Sequence, residues 1–386
     1  MKILAIETSC DETAVCIVKA DGEDIRVLGN ELYSQAALHA QYGGVFPNMA
    51  KREHAKNLVP LLAKCLADAK CGGESRAIPG ETKEKIKIIL EREGNLADDL
   101  LIFAEKSVRP DIDAIAVTNG PGLEPALWVG VTFAKSLGIL WDMPVYPINH
   151  LEGHILVAAI ERIAENGFAF KEIEYPAIAL LVSGGHTQIV LNKAPLAYKI
   201  VGDTKDDAAG EAFDKVARIL GLPYPGGPEI SRLAKKDREE FPDQETMYPL
   251  PRPMIRSGDL DFSFSGLKTA VLYTVKKIPK MTDATRQEIA REFEDAAIEV
   301  LVLKTRQAAI EYGAKTIVMG GGVSANAKLR SDLAKLAEEL SAAFLVPEVS
   351  ASTDNALMIG VAAAVRIAHS AKPAADFRAE GNLSLS

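Results

Sequence analysis

The sequence predicts an α/β protein of two lobes, each built on a sheet that begins with a β-meander. Two observations carry this prediction: a meander pattern occurs in each half of the chain, and strand and helix patterns alternate after it. The chain has 386 residues, of which 48% are hydrophobic and 25% are charged. This length allows two domains, and the composition is ordinary for a globular enzyme.

The first half supplies three short strand patterns, joined by turns rich in Asp, Gly and small polar residues. They lie at residues 3–6, 14–19 and 25–32. A helix pattern then follows at 51–69, and strand patterns at 114–118 and 145–148 flank a further helix pattern at 126–140. This order of elements is typical of a β-α-β sheet.

The second half repeats the meander, with a strand pattern at 177–182, a polar turn at 183–187 and a returning strand at 188–192. A duplicated meander followed by α/β units is typical of the actin, Hsp70 and sugar-kinase (ASKHA) architecture, which holds a nucleotide in an interlobe cleft. We therefore expect a first lobe at 1–149 and a second lobe at 150–354. Residues 355–386 are expected to form a helix and tail that return to the first lobe.

Residues 72–110 stand apart from this alternation. Two charge-dense helix patterns, 81–93 and 96–108, lie between Gly72-Gly73 and Arg109-Pro110. We interpret the segment as an inserted helical hairpin, and its charges as a face exposed to solvent.

His150 and His154 begin a helix pattern directly after a strand pattern. Their spacing of four residues places both imidazoles on one helix face, where they could hold one metal ion. The spacing alone is equally typical of histidines that cap or pack a helix start. However, the chain has only six histidines, and Asp354, at the start of another helix pattern, is a candidate third ligand. A zinc protease is disfavoured, because Leu151 follows the first histidine and Glu152 would point away from the ion.

Three glycine turns suggest a second kind of site. They lie at 183–185, 226–227 and 320–322; the last follows a buried strand pattern at 315–319 and precedes a helix pattern at 325–339, with Ser324 as its expected N-cap. Glycine lets a phosphate or adenosine approach the backbone, and free amides at a helix start favour anions. Each turn alone could be a plain tight turn, but three together favour a nucleotide site.

Charge and cysteine content limit the classes of function. The formal net charge is −9, which is not typical of a protein that binds nucleic acid unaided. The four cysteines form no CxxC pair, and no apolar run approaches the ~20 residues that span a bilayer. We expect a cytoplasmic location without a membrane partner.

Ten motifs together resemble the bacterial tRNA adenosine threonylcarbamoyltransferases, the TsaD/Gcp (Kae/OSGEP-like) family, over nearly the whole chain. They are IETSCDET (6–13), HAQYGGVFP (39–47), NGPGL (119–123), HLEGH (150–154), LVSGGHTQ (181–188), DDAAGEAFDK (206–215), PYPGGP (223–228), DFSFSGLKT (261–269), GGVSAN (321–326) and TDN (353–355). The chain departs from the family's pattern at Asn149, at Glu124-Pro125 and at Ala351-Ser352.

The resemblance implies transfer of a threonylcarbamoyl group from threonylcarbamoyl-AMP to the exocyclic amine of adenosine 37, in tRNAs that read codons beginning with A. The implied metal ligands are His150, His154 and Asp354. The implied cofactor is one divalent metal, with iron(II) favoured over zinc and magnesium. The implied adenylate-binding residues are Leu181, Val182, Ser183, Gly184, Gly185, Asp214, Gly227 and Asn326. Because the donor is already activated, no covalent nucleophile is expected.

The family also implies partners for the tRNA reaction, namely a paralogous TsaB-like subunit and a TsaE-like ATPase. Their surfaces would extend a positive track that Lys51, Arg52 and Lys56 begin. Two other functions fit the same architecture: an ATPase or kinase, and a non-catalytic scaffold of a tRNA-modification complex. A sugar kinase would be expected to have a cleft aspartate as base, and a scaffold would be expected to have lost its metal and glycine positions.

Overall fold

A computed structural model describes residues 1–74, 77–242, 244–374 and 376–385. The chain divides into two compact units. The first unit combines Met1–Lys171 with Asp354–Leu385, and the second unit is Glu172–Thr353. Residues 75 and 76 of the expected insertion lie outside the described residues.

The strands of the described residues are numbered along the chain. They are β1 (Lys2–Glu7), β2 (Glu12–Asp21), β3 (Asp24–Ser34), β4 (Gly73–Glu74), β5 (Arg109–Pro110), β6 (Ala114–Gly120), β7 (Val145–Asn149), β8 (Ile160–Ala164), β9 (Gly167–Phe170), β10 (Ala177–Val182), β11 (Thr187–Ala194), β12 (Ala197–Asp203), β13 (Thr316–Gly320) and β14 (Ala343–Leu345). Every strand pattern noted in the sequence corresponds to one of them.

The helices are numbered in the same way. They are α1 (Ala36–Ala40), α2 (Pro47–Asp68), α3 (Gly80–Ile89), α4 (Leu96–Lys106), α5 (Glu124–Trp141), α6 (His150–Val157), α7 (Ala209–Ile219), α8 (Gly226–Glu240), α9 (Ser265–Lys277), α10 (Asp283–Tyr312), α11 (Ala327–Glu339) and α12 (Ala356–Ala368). Within the described residues, none of these helices combines the length and the hydropathy that crossing a membrane requires.

The sheet of the first unit has the strand order β7-β6-β1-β2-β3-β9-β8. Strands β1, β2 and β3 form an antiparallel meander, whereas β6 runs parallel to β1 and β7 runs parallel to β6. Leu4 and Ile6 of β1 share a core with Leu58 of α2 and Phe133 of α5. On the other face, Ala5 lies against α12, so β1 is buried on both sides, as central strands of such sheets are.

The sheet of the second unit repeats this arrangement. Its order is β12-β11-β10-β13-β14, and β10, β11 and β12 form an antiparallel meander. Strand β13 runs parallel to β10, and β14 runs parallel to β13. Strands β3-β2-β1-β6-β7 of the first unit follow the same order and directions. This correspondence confirms the predicted duplicated ASKHA architecture.

The boundary between the units differs from the one expected at residue 150. Strands β8 and β9 form a hairpin, and β9 pairs with β3, which adds both strands to the first sheet. The division therefore falls after Lys171, and α6 belongs to the first unit. Asp354 also belongs to the first unit, together with α12 and the tail, rather than ending the second lobe.

The inserted segment is closed by its own ends. Strands β4 and β5 pair, with Gly73 opposite Pro110, so the chain leaves and rejoins the first unit at one place. Ile86 and Leu100, from α3 and α4, join the core of the first unit. The ion pairs of these helices, such as Lys83 with Glu105, remain on the exposed side. The segment is thus a two-helix hairpin with a solvated charged face, as its sequence pattern predicts.

A candidate metal centre and a glycine-lined pocket

The start of α6 is fixed by Asn149, the last residue of β7. Its side-chain Oδ1 accepts hydrogen bonds from the backbone amides of Leu151 (2.9 Å) and Glu152 (3.4 Å), which is the N-cap arrangement. Its Nδ2 donates to the carbonyl of Ser384 at 3.3 Å. Asn149 therefore has a structural role that explains an amide at this position.

The structure brings His150, His154 and Asp354 together. The two Nε2 atoms lie 3.2 Å apart, and Asp354 Oδ1 lies 3.1 Å from Nε2 of His154 and 3.4 Å from Nε2 of His150. Both imidazoles are buried. Asp354 directly precedes Asn355, whose side chain accepts a hydrogen bond from Met358 N at 3.0 Å and caps α12. Two capped helix starts thus present all three ligand atoms.

The spacing of these atoms fits a metal ion. Ligand atoms about 2.1 Å from one ion would lie about 3.0 Å apart at right angles and about 3.4 Å apart in a tetrahedron. The three observed separations, 3.1 to 3.4 Å, fall within that interval. In the described part of the chain, Nδ1 of His154 has no hydrogen-bond partner, so the contacts of this ring are made through Nε2.

Glu7 supports the site from behind His150. Its Oε2 lies 3.1 Å from Nδ1 of His150 and accepts a hydrogen bond from Thr118 Oγ1 at 2.6 Å. A carboxylate on the far nitrogen fixes the ring orientation and leaves Nε2 for a metal. Glu7 was not among the residues expected to support the metal site. Its position at the end of β1, in the motif IETSCDET, was the available signal.

The charges around the triad favour a cation. Burial lowers the pKa of His150, but the carboxylates of Asp354 and Glu7 outweigh burial and raise that pKa to about 10. Burial raises the pKa of Asp354 and of Glu7, yet in both cases the nearby His150 outweighs it and lowers the pKa. Burial lowers the pKa of His154. A protonated His150, a neutral His154 and two carboxylates leave one excess negative charge, and a metal ion would displace the proton from His150.

Glu152 points to a different partner, as its helical position predicts. Its buried carboxylate accepts a charge-assisted hydrogen bond from Arg366 of α12. Between the same two helices, a Cβ on Gly153 would lie 3.2 Å from side-chain atoms of Ile359 and Met358. The ion pair and this close packing hold together the helix that carries both histidines and the helix that follows Asp354.

The second unit contains a cavity of about 830 Å³. Its lining includes residues from all three glycine turns, represented by Gly184, Gly227 and Gly322. Of the predicted adenylate-binding residues, four line this cavity: Gly184, Asp214, Gly227 and Asn326. The other four do not: Leu181, Val182, Ser183 and Gly185. The three glycine turns noted in the sequence thus meet around one space, and four of the eight implied residues line it.

The residues outside the lining build the turn that borders it. Leu181 and Val182 are buried residues of β10. Ser183 Oγ accepts hydrogen bonds from the amides of Gly185 (3.3 Å) and His186 (3.1 Å), which closes the turn. A Cβ on Gly184 or Gly185 would meet no atom within 4 Å, and neither residue has a left-handed φ. The backbone conformation of this turn therefore does not require glycine at either position.

Gly321 is the glycine that the backbone requires. Its φ is +86°, and a Cβ would lie 2.5 Å from the carbonyl oxygen of Val182. The turn after β13 thus packs directly against the end of β10, the strand with which β13 pairs. A side chain here would meet both a disfavoured conformation and a fixed backbone atom.

Asp214 and Asn326 hold the cavity wall in this structure. Asp214 Oδ1 accepts a hydrogen bond from the amide of Gly226 at 2.7 Å. Asn326 Nδ2 donates to Ser231 Oγ (2.9 Å) and Glu294 Oε1 (2.7 Å), while its Oδ1 accepts from Leu329 N and caps α11. The N-cap is therefore Asn326, and the prediction of Ser324 was wrong because the chain first forms a 3₁₀ turn at Gly322–Ala325.

Basic side chains also line the cavity: Arg232, Lys235, Arg238 and Lys328. Arg238 is held in place by Glu294 at 2.7 Å and by Asp295 at 2.6 Å. Lys328 lies 2.8 Å from Asp332. Glycine backbone, open space and several cations together suit a ligand that carries a phosphate.

Comparison with known proteins identifies similar chains. The family model described as TsaD, tRNA N6-adenosine threonylcarbamoyltransferase, matches residues 26–75 and 90–361. Residues 76–89, which the match leaves out, contain all of α3. The match therefore includes α4 of the inserted hairpin but not α3.

Curated relatives match over almost their entire length. A tRNA N6-adenosine threonylcarbamoyltransferase from Chromobacterium violaceum is 41% identical over 390 residues, covering 100% of this chain and 98% of the relative. One from Ralstonia pickettii is 42% identical over 372 residues, covering 95% and 92%. Among solved structures, full-length HypF in its phosphate- and nucleotide-bound form is similar with a TM-score of 0.51 and 13% identity, covering 95% of this chain and 46% of that one. That likeness concerns the fold alone.

Proposed function

The chain belongs to the tRNA N6-adenosine threonylcarbamoyltransferase family, and from this membership we propose how its two sites divide the reaction. The enzyme transfers a threonylcarbamoyl group to the N6 amine of an adenosine in tRNA. We propose that the donor is threonylcarbamoyl-AMP, that its adenylate part binds the cavity of the second unit, and that His150, His154 and Asp354 hold one divalent metal. The target would be adenosine 37 of tRNAs that read codons beginning with A.

The observation that supports adenylate binding most directly is the meeting of three glycine turns around one cavity. Its volume, about 830 Å³, is in the range of small-molecule and cofactor sites. Gly184 and Gly227 present backbone without side chains to the cavity, so a nucleotide could approach closely. The basic side chains in the lining could neutralise the phosphate of the adenylate.

Support for a metal comes from the donor set. Two imidazole nitrogens and one carboxylate oxygen suit iron(II) or zinc better than magnesium, which prefers oxygen ligands. We propose iron(II) first, with zinc and magnesium as alternatives to be tested. When bound, such an ion would act as a Lewis acid and stabilise developing negative charge. Glu7 would keep His150 oriented, and the Glu152 pair with Arg366 would hold the two ligand-bearing helices together.

The proposed transfer needs no covalent intermediate with the enzyme. The N6 amine attacks the carbamoyl carbon, a C–N bond forms, and the C–O bond to the phosphate breaks with its electron pair remaining on AMP. The amine proton passes to the leaving phosphate or to water. The residues of the cavity would contribute by fixing the adenylate, which makes the reaction depend on position rather than on a nucleophile.

We further propose that tRNA is bound with help from other proteins, a TsaB-like paralogue and a TsaE-like ATPase. The net charge of −9 supports this, because phosphate contacts provide most of the affinity for nucleic acid. Affinity for tRNA should therefore rise when these partners are added and should fall steeply with salt. The cytoplasmic location stays a prediction.

The donor can be tested directly. The purified protein, with and without the proposed partners, is incubated with threonylcarbamoyl-AMP and tRNA. The tRNA is then digested, and its nucleosides are separated by chromatography and identified by mass spectrometry. We expect threonylcarbamoyladenosine to form together with one equivalent of AMP. Product formation without AMP release, or none from this donor under conditions in which another donor works, would contradict the proposal.

A further inference from the structure

An exposed aromatic pair lies in the loop between α1 and α2. Tyr42 is 57% exposed and Phe46 is 56% exposed. Their ring centroids are 6.0 Å apart and the rings are inclined by 45°. Such exposure is unusual for two large rings in one short loop, because each ring leaves apolar surface in water.

The loop is held in shape by a buried histidine. The amide of Tyr42 donates to the carbonyl of His39 at 2.9 Å, and the amide of Phe46 donates to Nδ1 of His39 at 3.3 Å. His39 Nε2 in turn bonds to Gln35 Oε1 at 3.1 Å, and both side chains are buried. Gly43 has a φ of +68°, which lets the chain turn between the two rings. The rings are therefore displayed by a preorganised loop.

The residues that hold this loop are connected to the metal centre by a short series of contacts. The side chain of Gln35 bonds to His39, and its backbone N–H donates to the carbonyl of Asp11 at 2.9 Å. Two residues earlier, Ser9 Oγ lies 3.1 Å from Nδ1 of His150. All these residues belong to the first unit. The aromatic loop and the candidate metal ligands are thus supported by one turn at residues 9–11.

The chain segment around the pair offers little exposed apolar surface beyond the two rings. Among residues 36–57, Tyr42 and Phe46 are the only large hydrophobic side chains that are more than half exposed. A stable protein interface buries about 800 Å² on each partner, far more than two rings offer. A single aromatic ring, by contrast, is enough to stack one unpaired base.

Three basic residues of α2 lie close to the pair in the sequence and could also contact RNA. Of the expected positive track, Lys51 is 3.1 Å from Glu93 and Lys56 is 3.8 Å from Glu53. Arg52 is exposed and makes no ion pair within the part of the chain that the structure describes. Of these cations Lys51 is bound to a buried carboxylate, whereas Arg52 and Lys56 remain accessible to phosphate, and stacking would add affinity that depends less on salt.

We infer that Tyr42 and Phe46 form a stacking platform for unpaired bases of the tRNA next to the target adenosine. The inference rests on the proposed function, since it assumes that the adenosine reacts beside the metal centre. Unpaired bases in RNA loops are commonly held by stacking on exposed aromatic rings. The platform would fix the neighbouring bases while the adenosine reaches the reaction site.

The test compares Tyr42→Ala, Phe46→Ala and their double variant in the assembled enzyme, with saturating donor. We expect the KM for tRNA to rise about 5- to 100-fold for each single change, while kcat stays within about 3-fold. Tyr42→Trp and Phe46→Tyr keep a ring and should retain a KM close to that of the parent. Tyr273→Ala is the matched control, because Tyr273 is 58% exposed and lies near Lys276 but in the second unit.

A fluorescent base reports stacking itself. We would place 2-aminopurine beside the target adenosine of a stem-loop RNA and expect the parent to quench it and the double alanine variant not to. Unchanged KM and quenching in the double variant would overturn the platform. So would a loss of partner-subunit binding that fully accounts for the rise in KM. If the parent itself forms no product from threonylcarbamoyl-AMP, the proposed function fails, whereas the quenching result still decides whether the platform exists.

Discussion

The candidate metal centre and the glycine-lined pocket differ in how their residues reach the site. In the metal centre, three side chains from two helix starts point at one position, with ligand atoms 3.1 to 3.4 Å apart. In the pocket, backbone turns from distant parts of the chain surround a space. The polar side chains of Asp214 and Asn326 form hydrogen bonds with other residues of the protein. The first site is made by side chains, and the second is made mainly by the course of the backbone.

This difference decides how each site should respond to substitution. Removing a side chain from the metal centre removes a ligand, whereas the fold keeps its capped helices. Adding a side chain to the pocket fills space or forces the backbone to move.

The first prediction concerns the ligands. His154→Ala should remove the metal and lower transfer by at least about 1,000-fold, because two remaining ligands hold a divalent ion poorly. Metal content and product nucleoside would be measured on the same sample. His369→Ala is the control, since that histidine is exposed near the end of α12. If His154→Ala kept a full equivalent of metal, the ligand assignment would be wrong.

The second prediction tests the support behind the ligands. Arg366→Met leaves the buried carboxylate of Glu152 without its cation and removes a contact between the two helices at the site, so we expect metal affinity to fall about 10-fold, the lower end of what losing a direct partner of a metal ligand costs. The free energy of unfolding should also fall by about 2 kcal/mol, less than for a fully buried pair, because the Arg366 side chain is 33% exposed.

The double variant Glu152→Gln with Arg366→Met separates the pair from the general packing. It should regain part of the lost affinity, because no buried charge is left unpaired. Lys64→Met breaks a surface pair with Glu31 and should leave metal binding unchanged. Equal metal affinities in the parent and Arg366→Met would show that this ion pair does not support the metal centre.

The third prediction moves to the pocket backbone. Gly321→Ala should lower the free energy of unfolding by about 2 to 4 kcal/mol, since the residue has φ +86° and its Cβ would lie 2.5 Å from Val182 O. Gly322→Ala is the neighbouring control, because a Cβ there meets nothing within 4 Å. Chemical denaturation measures both, and similar stabilities for the two variants would show that Gly321 is not required.

The fourth and smallest effect concerns ligand space alone. Gly184→Val should weaken AMP binding about 10-fold while changing stability by less than about 1 kcal/mol, because Gly184 lines the cavity and its Cβ would lie in open space. Gly185→Val, also open but outside the lining, should have a weaker effect than Gly184→Val. Isothermal titration measures the affinity of both variants for AMP. Equal AMP affinities in Gly184→Val and the parent would show that AMP does not bind against this turn.

These contrasts explain what the sequence could predict. Meander and helix patterns depend on local periodicity, so β1, β10 and α5 were found with nearly correct bounds. His150 and His154 are four residues apart in one helix, so their common face follows from helix geometry. Asp354 came from the motif at the start of α12, and the structure places it beside them.

The rest depends on contacts that no local pattern contains. The pairing of β9 with β3 moved the unit boundary beyond residue 150. Arg366, the partner of Glu152, lies on another helix, 214 residues further along the chain. Glu7 contacts His150 although 143 positions separate them in the sequence. Asn326 lines the cavity, but its side-chain nitrogen also donates to Ser231 and Glu294, which only the folded chain brings near.

The most direct test of the division between the two sites measures metal content and AMP affinity together in three proteins. The parent should hold one equivalent of divalent metal and bind AMP. His154→Ala should lose the metal but keep its AMP affinity within about 3-fold, and Gly184→Val should keep the metal but bind AMP about 10-fold more weakly. A full equivalent of metal in His154→Ala, or loss of the metal in Gly184→Val, would contradict the account.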